Sequence, residues 1–291
     1  MILIVYNLFT MSNVIEKTKV EEIIKNALNE DLLPNDDLTS NCLIPKDQRS
    51  VLELLVNEDA VLAGIDVFAK TFNLLDKEIS FRLNFNNGDK IEKEQIIASV
   101  SGSTLNILKG ERTALNFVAH LSGIATATNQ LVKLIKNTGV DLLDTRKTTP
   151  GLRELEKKAV LAGGGKNHRF NLSEIILIKD NHIKATGSVK NAVQKVKEEY
   201  GNKIKIEVEV ENIEELKAVI SSKPHVIMFD NWKQPDLKNA LKLVPDDILT
   251  EASGQISIQN IRSYAESGVK RISTSCMIKN ARWIDFSLNI K

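Results

Sequence analysis

Apolar residues recur at helical spacing in Val20, Ile23, Ile24, Ala27 and Leu28, which predicts an amphipathic helix over residues 13–29 with Ser12 as its N-cap. Short apolar runs follow at 51–56 (VLELLV), 79–85 (ISFRLNF) and 95–102 (QIIASVSG), and NNGD at 86–89 marks a turn between the last two. Residues 103–137 then read as one long helical region. Strands followed by helix, without strict alternation, predict an α+β layer.

From residue 140 the pattern changes. Six apolar strand candidates appear, at 140–144 (VDLLD), 175–180 (IILIKD), 205–210 (KIEVEV), 225–230 (HVIMFD), 247–252 (DILTEA) and 269–274 (VKRIST). Helical stretches at 188–200, 213–220 and 258–267 separate them. Such a series predicts parallel strands joined by right-handed crossovers.

Each of these strands ends in chemically capable residues: DTRK, KDN, EVE, FDN, EASG and STS. In a (β/α) barrel the C-terminal strand ends and the loops after them form the active-site face. All six runs follow that rule, which favours a catalytic barrel over a binding-only one.

Arg146 and Lys147 directly follow an apolar strand, where solvated charge runs are uncommon, and His168, Arg169 and Lys179 come just after. Arginine grips carboxylate or phosphate with two donors and lysine adds a compact charge, so this grouping expects a polyanion. Glu207 and Glu209 alternate with valines, so both point to one face, the barrel interior if the valines face the helices. Glu209 and Asp230 on adjacent strand ends can hold Mg²⁺ or ribose hydroxyls. The small residues around Ser253, Gly254 and Gln255, and Thr274 with Ser275, leave backbone N–H groups for a phosphate.

The glycines of GGGKNHR (163–169) follow a helix, not a strand, so they do not form a dinucleotide loop. They are expected to end that helix and carry His168 and Arg169 over the barrel mouth. His120 and His225 read as structural, and His182 fits either role.

Charge and length narrow the classes further. At 291 residues a substantial core is available, and 39 basic against 38 acidic side chains argue against a general nucleic-acid or membrane-surface binder. Cys42 and Cys276 match no metal spacing and suit free thiols in a reducing cytoplasm. The opening MILIVYNLFT is too short to span a bilayer and lacks the flanks of a signal peptide, so Met11 is the expected start or residues 1–10 a dispensable extension.

Taken together, ERTALNFVAHLSGIATAT (111–128), the long run LLDTRKTTPG…NHRFNLSEIILIKDNHI (142–183), IEVEVENIEEL, FDN and EASG resemble the quinolinate phosphoribosyltransferases, with a weaker match in EDLLPNDDLTS (30–40). The resemblance implies an N-terminal α/β sandwich (12–115) and an incomplete, open (β/α) barrel (116–275), with the tail 276–291 returning to the first domain. It implies a cytoplasmic homodimer or larger assembly that joins quinolinate to phosphoribosyl pyrophosphate with Mg²⁺, giving nicotinate mononucleotide, CO₂ and pyrophosphate. By motif match Arg146, Arg169 and Lys179 hold the quinolinate carboxylates, and Lys147, Thr145 and His168 complete that wall. Arg112 reaches a neighbouring subunit's site. Glu209 and Asp230 face ribose and Mg²⁺, with Lys147, Lys179 and these two acids as the catalytic set. Ser253, Gly254, Gln255, Thr274 and Ser275 take a phosphate.

The chain departs from the family pattern in the 30–40 loop, at Asn171, and at Ser275 and Lys279, where glycine and histidine are usual. A molybdenum-associated group of the same fold is the nearest alternative. A Schiff-base aldolase built on Lys179 and a non-catalytic metabolite sensor are rivals of other classes.

Overall fold

The computed structural model describes residues 19–291, so the expected cap Ser12 and the N-terminal decapeptide lie outside the described residues. The chain forms two compact units. One holds the described residues up to Thr126 with Thr149–Gly163 and Ala281–Lys291, and the other holds Ala127–Thr148 and Gly164–Asn280. Labels below follow chain order.

In the first unit, α1 (residues 19–32) runs past the predicted end and buries Ile24 and Leu28. The short α2 (Leu38–Leu43) is capped by Asp37, whose side chain accepts the Ser40 N–H. Four antiparallel strands form one sheet in the order β12 (Phe286–Ile290), β1 (Arg49–Val56), β5 (Ile96–Ser103), β3 (Ser80–Leu83). Alternation along β1 sends Leu52, Leu54 and Val56 into the core and leaves Val51 exposed. The same core receives Phe286 and Leu288 of β12, Val100 of β5, and Phe68 and Phe72 of α3 (Ile65–Leu75). The two rings meet edge to face at 5.1 Å, and truncating either to alanine would cost about 3–5 kcal/mol.

The small pair β2 (Ala60–Val61) and β4 (Lys90–Ile91) carries too few residues for a periodic signal and was not predicted. β3 is shorter than the expected run 79–85, because its mostly exposed residues gain little from pairing further. The long α4 (Thr104–Leu134) supplies Ile107, Ala114 and Val118 to the core. At Gly123 a Cβ would collide with the Arg282 carbonyl, so glycine lets the segment leading to β12 pass against the helix. Helix α5 (Arg153–Ala162) completes this unit.

The second unit is a six-stranded parallel sheet in the order β6 (Asp141–Leu143), β11 (Arg271–Ser273), β10 (Leu249–Ser253), β9 (Val226–Asp230), β8 (Ile206–Val210), β7 (Ile176–Ile178). Five of the six strands fall within the predicted runs, and β10 passes the end of its run by one residue, to Ser253. β6 and β7 stand at the two edges, which makes the barrel open, as the resemblance implied.

Helices α7 (Val189–Tyr200), α8 (Ile213–Ser221) and α9 (Gln234–Leu241) connect successive strands. Ser188 and Asn212 cap the first two through their side chains, and Pro235 opens the third. Two expectations need correction. The run 175–180 is strand only to Ile178, after which α6 (Asp180–Thr186) begins; this single short polar helix lacks an apolar stripe. The helix expected over 258–267 is reduced to α10 (Ile261–Ala265), because the Asn260 side chain accepts the Ser257 N–H and keeps residues before it in a turn. The last helix, α11 (Cys276–Lys279), is a single turn after β11.

Candidate active site

The strand β6 delivers Asp144, fully buried, whose Oδ1 accepts the His168 backbone N–H at 2.8 Å. Lys166 donates its N–H to the Leu142 carbonyl and accepts that of Asp144. The glycine-rich loop is thereby stitched to the edge of β6, and Gly163 caps α5 as expected. This places Arg169 near Arg146. Burial depresses the pKa of Arg169, the charge of Arg146 depresses it further, and Glu207 opposes both. Arg169 is half buried and also donates to the Ile175 carbonyl at 3.1 Å. Two guanidiniums held close enough to disfavour one another suit an anion between them.

The rest of the DTRKTT turn is compact. Thr145 is half buried, and its Oγ1 accepts the N–H of the exposed Lys147 at 3.0 Å. Thr149, in the first unit, donates its N–H to Glu156, a buried carboxylate that also pairs with His120 Nε2 at 2.9 Å. Burial alone would raise the Glu156 pKa, but the bonds from His120 and Thr149 outweigh it and leave the group below the ordinary value. His120 therefore has the structural role expected of it, as does His225, whose Nδ1 accepts the Ile206 N–H.

On β7 and β8 the key pair is Lys179 and Glu209. The Lys179 ammonium makes a short hydrogen bond to the Glu209 carboxylate. Its backbone N–H donates to His182 Nδ1, which fixes His182 as part of the α6 cap. Burial raises the Glu209 pKa, Lys179 opposes this, and Asp230 and Asp180 add to it. Glu209, Glu211 and Asp230 present carboxylate oxygens within 4.8 Å of one another. Such an all-oxygen set fits a hard cation such as Mg²⁺. Glu209 and Asp230 each keep a second oxygen beyond the one that Lys179 or Asn231 engages.

At the ends of β9 and β10, Asn231 sits at φ 57° and Gly254 at φ 88°. Asn231 donates its amide to Asp230 at 2.7 Å and its N–H to the Ser253 carbonyl. A Cβ on Gly254 would strike the Asn231 side chain. Gln255 is exposed. The Thr274 hydroxyl serves the turn itself, donating to the Ile256 carbonyl and accepting the Cys276 N–H. Ser275, half buried, precedes α11.

The loop carries His168 to two buried acids of the sheet. The His168 side chain is 8% exposed and turns inward, 3.2 Å from Glu207 and 3.6 Å from Glu251. Burial opposes a charged ring, but the bond to Glu207 and the charges of Glu251 and Glu207 raise its pKa.

A cavity of about 690 Å³ in the first unit is lined by Phe117, His120 and Trp283 among others, and none of the expected site residues lines it. Arg112 is exposed on α4 in that unit.

The comparisons with known proteins agree with this layout. Residues 37–122 match the model of the quinolinate phosphoribosyl transferase N-terminal domain, and residues 124–289 match that of its C-terminal domain. The chain belongs to the quinolinate phosphoribosyltransferase family. A probable nicotinate-nucleotide pyrophosphorylase (carboxylating) of Bacillus subtilis is 38% identical over 270 residues, covering 92% of this chain and 93% of that protein. The nicotinate-nucleotide pyrophosphorylase (carboxylating) of Mycobacterium leprae is 34% identical, with 92% and 96% covered. The solved structure of the nicotinate-nucleotide pyrophosphorylase from Francisella tularensis superposes with a TM-score of 0.90 at 36% identity, covering 94% of this chain and 96% of that one.

Membership makes the chain a phosphoribosyltransferase of mixed α/β fold with an open parallel barrel. The strand-end motifs DTRK, FDN and EASG contain Asp144, Asn231 and Glu251, to which sequence reasoning assigned no role of their own. The signal for Glu251 was present, an acid in the middle of the apolar strand ILTEA. Asn231 and Asp144 make contacts that form only on folding, with the Ser253 carbonyl at the end of β10 and with the His168 N–H of the loop.

Proposed function

We propose that this chain transfers the phosphoribosyl group of phosphoribosyl pyrophosphate to quinolinate with loss of CO₂, yielding nicotinate mononucleotide and pyrophosphate for de novo NAD synthesis. The observation that carries the reading is the neighbouring pair Arg146 and Arg169 at adjoining loop ends, with Lys179 on the strand-end rim. Quinolinate is a dianion, and fixed cations select it over singly charged nicotinate. Arg146, Arg169 and Lys179 bind its carboxylates, Lys147 and Thr145 border them, and His168 supports the wall from beneath.

Glu209 and Asp230 face the ribose, where departure of pyrophosphate leaves a cation-like carbon that carboxylates stabilise. Mg²⁺, held by Glu209 and Asp230 directly or through water, would neutralise the pyrophosphate charge. Ser253, Gly254, Gln255 and Ser275 offer backbone N–H groups to a phosphate, with Thr274 bracing the turn. Attack by the ring nitrogen makes a pyridinium, whose positive charge stabilises the carbanion formed as CO₂ leaves, and a proton then takes the vacated position. Positioning and electrostatics carry the reaction without a protein nucleophile. The assembly is a cytoplasmic homodimer or larger oligomer in which Arg112 completes a neighbouring site.

The ion pair between Lys179 and Glu209 argues against a Schiff-base aldolase, which needs a desolvated, neutral amine. The decisive experiment measures CO₂ release from carboxyl-labelled quinolinate with and without phosphoribosyl pyrophosphate. Release only with both substrates is expected; binding without release would point to a sensor instead. Arg146→Ala should lower kcat/KM for quinolinate by about tenfold or more, since a charged hydrogen bond contributes about 1.5–3 kcal/mol. Unchanged kinetics would remove Arg146 from the site.

A further inference from the structure

The interior of the six-stranded sheet holds more charge than the proposed chemistry uses. Glu207 on β8 and Glu251 on β10 are both fully buried. Their carboxylates and the His168 ring present atoms within 4.8 Å of one another. Both oxygens of Glu251 are buried and, among the described residues, lack a hydrogen bond of good geometry, with the Ser273 hydroxyl beside them. Two ionised carboxylates this close, in a medium that screens poorly, disfavour one another unless a cation or a proton lies between them.

The neighbouring acids favour a second proton on the His168 ring, but the observed backbone geometry opposes it. Its Nδ1 accepts the Arg169 backbone N–H at 2.8 Å, which requires a ring lone pair. The single ring proton therefore sits on Nε2, facing Glu207. Were Glu251 ionised as well, the two negative charges would favour a doubly protonated ring, and a proton on Nδ1 would oppose the Arg169 N–H. One proton on a carboxylate removes this conflict. Glu207 already accepts from Nε2, so the proton belongs to Glu251.

We infer that Glu251 is held as a neutral carboxylic acid in the working enzyme, and that it is a positioning residue, fixing His168 and through it the Arg169 backbone beneath the quinolinate subsite. The groups facing Glu251 fit this assignment. Glu207 on β8 disfavours its ionisation, a doubly protonated His168 would favour it, the Ser273 hydroxyl and the Arg271 charge on β11 favour it, and its register partner on β9 is the apolar Met228. Burial is the largest influence, and the Glu251 pKa is pushed up to about 7.

Glu251→Gln preserves the neutral group and tests the assignment without substrate. An acid whose folded pKa is raised favours the folded protein fully only below its unfolded pKa. Wild-type stability on this account falls as pH rises from 4.5 to about 7 and then levels. E251Q escapes that loss, so its melting temperature relative to wild type should climb across the same interval. Infrared spectra in D₂O should show the carbonyl band of a protonated carboxylic acid in wild type, titrating away as pH rises and missing from E251Q. Should E251Q not fold, the wild-type titration alone decides.

Parallel melting profiles, absence of the band, or a stoichiometric metal ion that wild type holds and E251Q lacks would each overturn the assignment. The positioning role rests on the quinolinate reading. It expects E251Q to keep its quinolinate KM within about threefold at pH near 6 and to lose an alkaline decline in kcat/KM that wild type shows. If melting profiles diverge but no CO₂ is released from quinolinate, the reaction is wrong and the buried proton stands. If CO₂ is released and the profiles stay parallel, the proton is wrong and the reaction stands.

Discussion

At the scale of single residues, the strand ends work because small groups and polar groups interlock. Asn231 tolerates φ 57° better than most residues and uses its amide to hold one oxygen of Asp230, while Gly254 leaves space for that side chain. Asn231→Gly keeps the backbone conformation and removes the amide. If Asp230 faces the ribose as proposed, this variant should raise the KM for phosphoribosyl pyrophosphate by about tenfold and leave the quinolinate KM within about twofold, the size expected for one hydrogen bond to a charged group. Equal effects on both substrates would mean that the amide only supports the fold. Gly254→Ala adds a Cβ at φ 88° against Asn231 and should lower stability by about 1–3 kcal/mol in a denaturant titration. None of this coupling is legible in FDN or EASG read separately, because the two short motifs meet only through strand pairing. The cations were legible for the opposite reason: Arg146 and Lys147 break an apolar run at a place where the fold rule already assigns chemistry.

At the scale of elements, α5 shows how the TTPG turn is held. Glu156 in its first turn accepts from Thr149 and from His120 of α4, so one buried carboxylate ties a loop and two helices together. Its folded pKa lies below the ordinary 4.5. Its stabilising contribution is therefore complete above about 4.5 and is lost as pH falls through the folded value. Glu156→Gln should cost about 2 kcal/mol at neutral pH, roughly one charge-assisted hydrogen bond, and the gap to wild type should narrow on acidification. A gap that persists at low pH would assign the loss to packing.

Elements with strong patterning, such as β1, α4 and the six parallel strands, were legible from period alone. The misses were short or polar: α6 has no apolar stripe, β2 and β4 have two residues each, and α10 is cut back by the Asn260 side chain. The direction of His168 was also beyond periodicity, since a loop residue takes its orientation from Asp144 and the buried acids.

At the scale of the whole molecule, the net charge of +1 conceals a division of the candidate site cations between the two units. Arg146, Lys147, Arg169 and Lys179 all belong to the unit with the open parallel sheet, whereas Arg112 is exposed on α4 in the unit with the antiparallel sheet. An exposed arginine in one unit can serve a dianion bound in another if a second copy of the chain brings it there. Complementation tests this directly. Arg112→Ala and Lys147→Ala should each abolish most activity as homodimers. In a mixed dimer, the site that draws Lys147 from the first variant draws Arg112 from the second, and is intact. The other site lacks both. Verified mixed dimers should therefore recover about half of wild-type turnover, as two-fold symmetry requires. If both residues serve the site of their own chain, every site in the mixture carries one lesion, and activity stays at the level of the parents.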